Sequence, residues 1–190
     1  MHQIEPHYLW RHLYKSSKDP NSPFYKEQYS QFEYTNKVYN YVIHPQWDSF
    51  GSETLLLKVL YVDYDNHYAI IEMIGEWNDA INNDIALLKR ELIDSMIDCG
   101  IEKFIILGEN VLNFHGSDDS YYQEWWEDTP GGYVVLLHFR DHVLQEMEDT
   151  GLHHYVLLEE EDETTWNWKT KKPELLFEQV DKRILMRLQE

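Results

Sequence analysis

Apolar residues along this chain fall first into a two-residue alternation and later into a three-and-four spacing, and the change of period divides the fold. Val38, Tyr39, Tyr41, Val42 and Ile43 are β-branched or aromatic and predict a strand from Lys37 that stops at His44-Pro45. After a loop over Gln46–Glu53, the run Thr54–Tyr64 predicts a second strand and His67–Ile74 a third. The Asp65-Asn66 turn between them reads as a hairpin, so the first half is expected to be an antiparallel meander. Gly75-Glu76-Trp77-Asn78-Asp79 is then a strand-to-helix corner, with Asn78 or Asp79 capping the next element. Ile81, Ile85, Leu88, Leu92 and Met96 make one apolar helical face, with Asp84, Lys89, Arg90, Glu91 and Asp94 on the others and Gly100 as the stop.

Strand and helix alternate from there on. Lys103–Gly108 predicts a short buried strand and Tyr133–Phe139 another, after the break at Thr129-Pro130-Gly131-Gly132. A helix is expected from Arg140-Asp141 to Thr150, a last edge strand over His154–Leu158, and a final helix from Pro173. The stripe of that helix is Leu176, Phe177, Val180, Ile184, Leu185 and Leu188. The N-terminal 36 residues contain Tyr8-Leu9-Trp10 and His12-Leu13-Tyr14 and a proline-bearing loop over Ser16–Pro23; they are expected to form an arm packing its aromatics on the sheet. Glu159–Glu163 is a charge run that discourages edge pairing, and Trp166 and Trp168 are placed to cover that edge. The expectation is one domain of mixed α/β class: a sheet antiparallel at the front, mostly parallel behind, with helices packed on it.

In the order of these elements the chain resembles the small open sheets of STAS-type regulatory domains. The resemblance implies a regulatory domain. Where that family carries a switch serine, at the start of the helix after a central strand, this chain reads Gly108-Glu109-Asn110, and the nearest serine is Ser117.

Composition narrows the function classes. Sixteen basic residues stand against 35 acidic ones, a formal net charge of -19, which argues against nucleic acid and anionic membranes as partners. Cys99 is the single cysteine, so no intrachain disulfide forms; with no apolar leader and no long apolar run, a cytoplasmic protein is expected. Cys99 reads as a packing residue, because no histidine or asparagine partner sits at a recognisable spacing. His2, His7 and His12 are five apart and match neither a helical nor a strand face. No glycine-rich phosphate loop, serine-hydrolase elbow or HExxH metal motif occurs, and no cofactor is implied.

The densest chemistry lies in Glu109–Asp128, which gathers carboxylates, two asparagines, a histidine and four large aromatics, with a short helix expected over Ser120–Trp126. Ligands of open α/β sheets bind beyond the carboxyl ends of strands. Three predicted strands end in polar clusters there: Glu76, Trp77, Asn78 and Asp79; Glu109, Asn110, Asn113, His115, Asp118 and Asp119; and His138, Arg140, Asp141 and His142. Three readings of that rim follow. One is an accessory or regulatory module that binds a protein partner, a second copy or a small ligand, with Tyr121, Tyr122, Trp125 and Trp126 as its aromatic surface. Another is a Zn²⁺ or Mn²⁺ enzyme using His115, Asp118, His138 and His142. The third is metal-free acid–base catalysis by Glu76, Glu109 and Asp118. No motif selects among them.

Overall fold

A computed structural model of the chain describes residues 4–38, 41–159 and 167–187. Tyr39, the charge run from residue 160, Trp166 and Leu188 lie outside them, as does His2. Five strands form one sheet: β3 (Leu55–Asp63), β4 (Tyr68–Asn78), β5 (Lys103–His115), β6 (Tyr133–Leu137) and β7 (Leu157–Leu158), in that spatial order. β3 runs antiparallel to β4, and every later pair is parallel, as the order of predicted elements requires. Lys37–Ile43 is not one strand but two, β1 (Lys37–Val38) and β2 (Tyr41–Val42), paired antiparallel as a sheet of their own.

One face of the sheet carries the segment α1 (Asp79–Asn82), α2 (Asp84–Leu88), a π-turn over Lys89–Ile93 and α3 (Asp94–Asp98), together with α4 (Ser120–Asp128) and α5 (Asp141–Asp149). Ile85, Leu88, Leu92 and Ile93, Tyr122 and Trp125 of α4, and Val143 and Met147 of α5 pack there on Ile71, Met73, Phe104 and Ile106. On the other face, α6 (Pro173–Arg187) lays Leu176, Val180 and Ile184 against Ile70, Ile105, Leu107 and Val135, and Trp10 and Trp168 complete that cluster. Leu185, expected in the stripe, is exposed. The N-terminal arm and the β1–β2 hairpin cover the same face further along, where Ile4, Val38, Ile43 and Trp47 meet Leu56 and Ile74.

Two strands are longer than their apolar runs suggest. β4 does not turn at Gly75 but continues to Asn78, and β5 does not end at Gly108 but continues to His115, the pair staying in parallel register to Asn78↔His115. Register shifts between Glu72 and Ile74 and between Gly75 and Glu76 absorb the extra residues of β5. β6 stops at Leu137, opposite Leu107, and the chain leaves the sheet through His138, which has φ +58°. The ring of Phe139 lies so close over Gly108 that a Cβ there would overlap it. The predicted strand over His154–Leu158 shrinks to β7, preceded by a 3-10 turn over Leu152–His154.

The long helix is also reshaped. Asn83 adopts the left-handed conformation between α1 and α2, which resets the helical phase. Ile81 therefore leaves the apolar stripe and is 83% exposed, while Asp84 turns inward and is buried. The π-turn then rotates Lys89 from the polar face into the interior, where it is 0% exposed. Its ammonium bonds Asp94, donates to Asp128 at 2.6 Å and lies 3.6 Å from Glu124. Arg90 adds a forked pair to Glu124 at 2.6 and 2.9 Å on the surface. These ion pairs tie α4 to the π-turn and α3. Lys89→Met is expected to lower unfolding free energy by about 1–3 kcal/mol, less than a fully buried pair because its carboxylates reach water. The urea midpoint read through tryptophan fluorescence checks it; an unchanged midpoint shows that the ion cluster does not hold α4.

Candidate functional site

β4, β5 and β6 are parallel neighbours, so their carboxyl ends face one way. They end at different heights. His115 lies eight residues past Leu107, the partner of Leu137, or about 26 Å of strand at ~3.3 Å per residue. The clusters at the ends of β4 and β5 therefore meet each other, and that of β6 sits lower, beside the middle of β5.

At the far end, the register puts Glu76 beside Asn113 and Asn78 beside His115. The His115 Nε2 approaches Glu76 Oε1 at 2.7 Å, one group half-exposed and the other buried. Trp77, Asn78 and Asp79 are buried and build the start of the helical layer. Asn78 Oδ1 accepts from the Ile81 N–H, and the Asn78 N–H donates to Asp84 Oδ2 at 2.8 Å. Asp79 accepts from the Ile85 N–H (2.8 Å), the Trp77 indole (3.0 Å) and the Tyr122 hydroxyl (2.6 Å). Burial still wins over these three donors and pushes the Asp79 carboxyl up to about 6. Burial and then the charge of Asp79 keep the Tyr122 phenol protonated.

Between these ends, on the face covered by the arm, lies a pocket of about 350 Å³. Ile4, Val38, Tyr41, Ile43, Ile74 and Leu112 supply its apolar wall, and Asn110 and Arg140 its polar part. Arg140 immediately precedes α5 and is exposed; among the described residues its guanidinium has no ion pair or hydrogen bond. Asp141 occupies the first turn of α5, where a carboxylate suits the helix dipole. His142 Nε2 meets the Leu112 carbonyl at 2.8 Å and so fastens α5 along the edge of β5 that β6 has left.

The remaining candidates disperse. Glu109 pairs with Lys169 at 2.5 Å. Asp118 accepts from the Ser120 N–H at 2.9 Å; the Ser120 hydroxyl and then this N–H hold its carboxyl below the usual range, and Asp119 occupies the N-cap position of α4 without a side-chain cap bond. Of the four aromatics, Tyr122 stacks towards Trp77 and Trp125 packs edge-on to Phe104 at 5.1 Å, both inside the core. Tyr121 lies under Arg90, and Trp126 is 53% exposed. His115, Asp118, His138 and His142 are not brought together as a ligand set. Among the described residues, the one acidic group with converging oxygens is Asp94, Glu124 and Asp128, and the Lys89 ammonium sits among them.

Glu72 was not among the sequence candidates, although a carboxylate inside the run Ile70-Ile71-Glu72-Met73-Ile74 is a visible exception to an apolar strand. It is 3% exposed and accepts from the His7 N–H at 2.8 Å. His7 in turn packs edge-on to Trp10 and Trp168, with centroids 4.8 and 4.7 Å away. Burial raises the Glu72 carboxyl to about 7, against the lowering effects of the His7 N–H and Lys169; burial and then Lys169 lower His7 to about 4.

No protein-family model matches the chain, and no curated protein matches its sequence. Among solved structures, the anti-sigma factor antagonist SpoIIAA in its unphosphorylated form is similar, with a TM-score of 0.41 and 12% identity, over 57% of this chain and 91% of that chain.

Glu72 generates a pH prediction. Its folded pKa lies above its ordinary value, so the native state binds the proton more tightly than the unfolded chain. The stability this lends is complete below about pH 4.5 and is lost as pH rises through about 7. Glu72→Gln keeps an acceptor for His7 and removes the titration. The variant is expected to match the parent near pH 4 and to exceed it by about 2–3 kcal/mol at pH 8. Urea unfolding across that range checks it, and parallel profiles would contradict it.

Proposed function

We propose that the protein is an accessory or regulatory binding module, and that its ligand seats in the pocket between the end of the sheet and the N-terminal arm. The observation that carries this reading is a guanidinium with no partner among the described residues, beside an apolar wall. A volume of about 350 Å³ is that of a small-molecule site, which typically spans roughly 300–1,000 Å³. Arg140 suits a carboxylate, since its planar fork matches two oxygens, and the Asn110 amide offers a further hydrogen bond. Ile43, Ile74 and Leu112 suit a short hydrocarbon body. The ligand class that fits both halves is a small amphipathic carboxylate.

A titration with straight-chain acids from butanoate to octanoate, followed by amide NMR, tests this. Shifts are expected at Ile74, Gly75, Asn110 and Leu112, with affinity rising about fourfold per added methylene while the chain still fits. Arg140→Gln is expected to weaken binding about tenfold, the loss of one charge-assisted hydrogen bond. No shift at tens of millimolar for any acid would remove the reading.

A second reading rests on Trp126 and Leu185, two exposed apolar side chains that line one concavity beside Tyr155 and Leu157 of the β7 edge. Aromatic residues next to a sheet edge suit self-association or a protein partner. Under this reading the chain is a dimer by sedimentation at micromolar concentration. Trp126→Ser then makes it monomeric while changing monomer stability by less than about 1 kcal/mol, as for an exposed residue. A parent chain that sediments as a monomer rules out the dimer.

A further inference from the structure

A second pocket lies on the same face of the sheet, beneath the arm and over β3. It is small, about 60 Å³, and is lined by Pro6, His7, Arg11, Tyr14, Lys15, Ser16 and Ser17 of the arm, by Tyr29, and by Lys58, Val59 and Leu60 of β3. Two of its features stand apart from the rest of the chain. The first is charge: in a protein with 35 acidic and 16 basic residues, three of the basic ones line this pocket and no acidic residue does. The second is unspent hydrogen bonding. Among the described residues, His7 Nε2 has no hydrogen-bond partner, and the buried Ser16 and Tyr29 hydroxyls, which face each other with the Asp48 carboxylate beside Tyr29, make no bond of normal geometry; Ser16 as a whole is 2% exposed.

Buried polar atoms without partners cost free energy, of order 1–3 kcal/mol each, and their convergence in one place calls for a common acceptor. Hydroxyls and a neutral imidazole can each donate one hydrogen bond, and the cations add charged donors. Burial and then Asp48 keep the Tyr29 phenol protonated, and the Asp48 carboxylate is the acceptor an incoming anion would have to replace. The charge sum defines the ligand further. Arg11 is matched by Glu5 at 2.8 Å and Lys58 by Asp48 at 3.2 Å, while Lys15 has no ion pair among the described residues. The lining therefore carries about one unmatched positive charge, together with the neutral donors of His7 and Ser16 and the Tyr29 hydroxyl behind them, which suit a group with several acceptor oxygens. A cavity of about 60 Å³ is several times the ~10–15 Å³ that one water requires and suits one compact group rather than a whole metabolite.

We infer that this pocket binds a tetrahedral oxyanion, a phosphoryl group held by Ser16, Tyr29, His7, Lys15 and Lys58. The site is separate from the Arg140 pocket and stands whether or not that pocket binds carboxylates. Its occupant bridges the arm to β3, so binding also fastens the arm to the sheet.

The test compares inorganic phosphate and methyl phosphate with chloride at matched ionic strength, by thermal unfolding and by amide NMR of the full chain. Phosphate at tenfold over its Kd is expected to raise Tm by about 3–6 °C and to shift the amides of Ser16, Ser17 and Lys58. Binding of inorganic phosphate alone identifies the free ion as ligand; binding of both probes identifies a phosphoryl group carried by a larger molecule. Ser16→Ala removes a hydroxyl whose neighbour is the Tyr29 hydroxyl, so the variant is expected to unfold close to the parent in chloride and to bind phosphate about tenfold more weakly. Lys15→Ser, at an exposed position, is expected to weaken binding in the same direction. Two results overturn the inference: no response to either phosphate beyond that to chloride, or a response that Ser16→Ala and Lys15→Ser leave intact.

Discussion

The central strand β4 is buried along its whole length, on both faces and both edges, and the rest of the structure answers to that constraint. A strand with this surrounding is ordinarily a continuous apolar run. β4 is not, because it carries Glu72, Glu76 and Asn78. Each of those side chains must find a partner or pay full desolvation, and each recruits a different part of the chain. Glu72 takes the backbone of the arm at His7, Glu76 takes His115 from the end of β5, and Asn78 caps the turn at Ile81. The polar residues of the core strand thus specify how the arm, the neighbouring strand and the helical layer attach to it. The apolar residues, which would accept many neighbours, do not specify this.

The same constraint separates the two faces. Helices close the front with a continuous aliphatic and aromatic core. The back is closed in three pieces, α6, the Trp10–Trp168 contact and the β1–β2 hairpin, and the two pockets with uncommitted polar groups lie on this face. A cover assembled from an arm and a hairpin packs less completely than a helix, and the gaps it leaves are lined by whatever the arm and strands present. Arg140 and Asn110 border one gap, and Lys58, Ser16 and Tyr29 the other.

Much of the fold was legible locally. The β3–β4 hairpin, α5, the start of α6 and the parallel order of β4, β5 and β6 follow from period, turn chemistry and element order. The candidate rim was legible as a list of residues and illegible as a site. Tyr122 and Trp125 read as surface aromatics because their segment is polar, yet a nine-residue helix has a buried side, and those two are on it. Ile81 and Lys89 read to the wrong faces because a left-handed Asn83 and a π-turn shift the phase of the helix without changing its composition. The extension of β5 through Glu109 and Asn110 was hidden for a similar reason: half of those residues face the arm or solvent, so the strand no longer looks apolar.

By itself the sequence determined the mixed α/β class, the order of the elements and the strong acidity, since each depends on residue type and on spacing within one element. The tertiary structure alone decided which polar groups meet. Glu72 and His7 are 65 residues apart, Glu76 and His115 are 39 apart, and the Trp10 indole reaches the Lys171 carbonyl across 161. Local pattern carries no record of such distances. A hydrogen bond is worth little until both partners have been buried together, and that is settled only when the layers close.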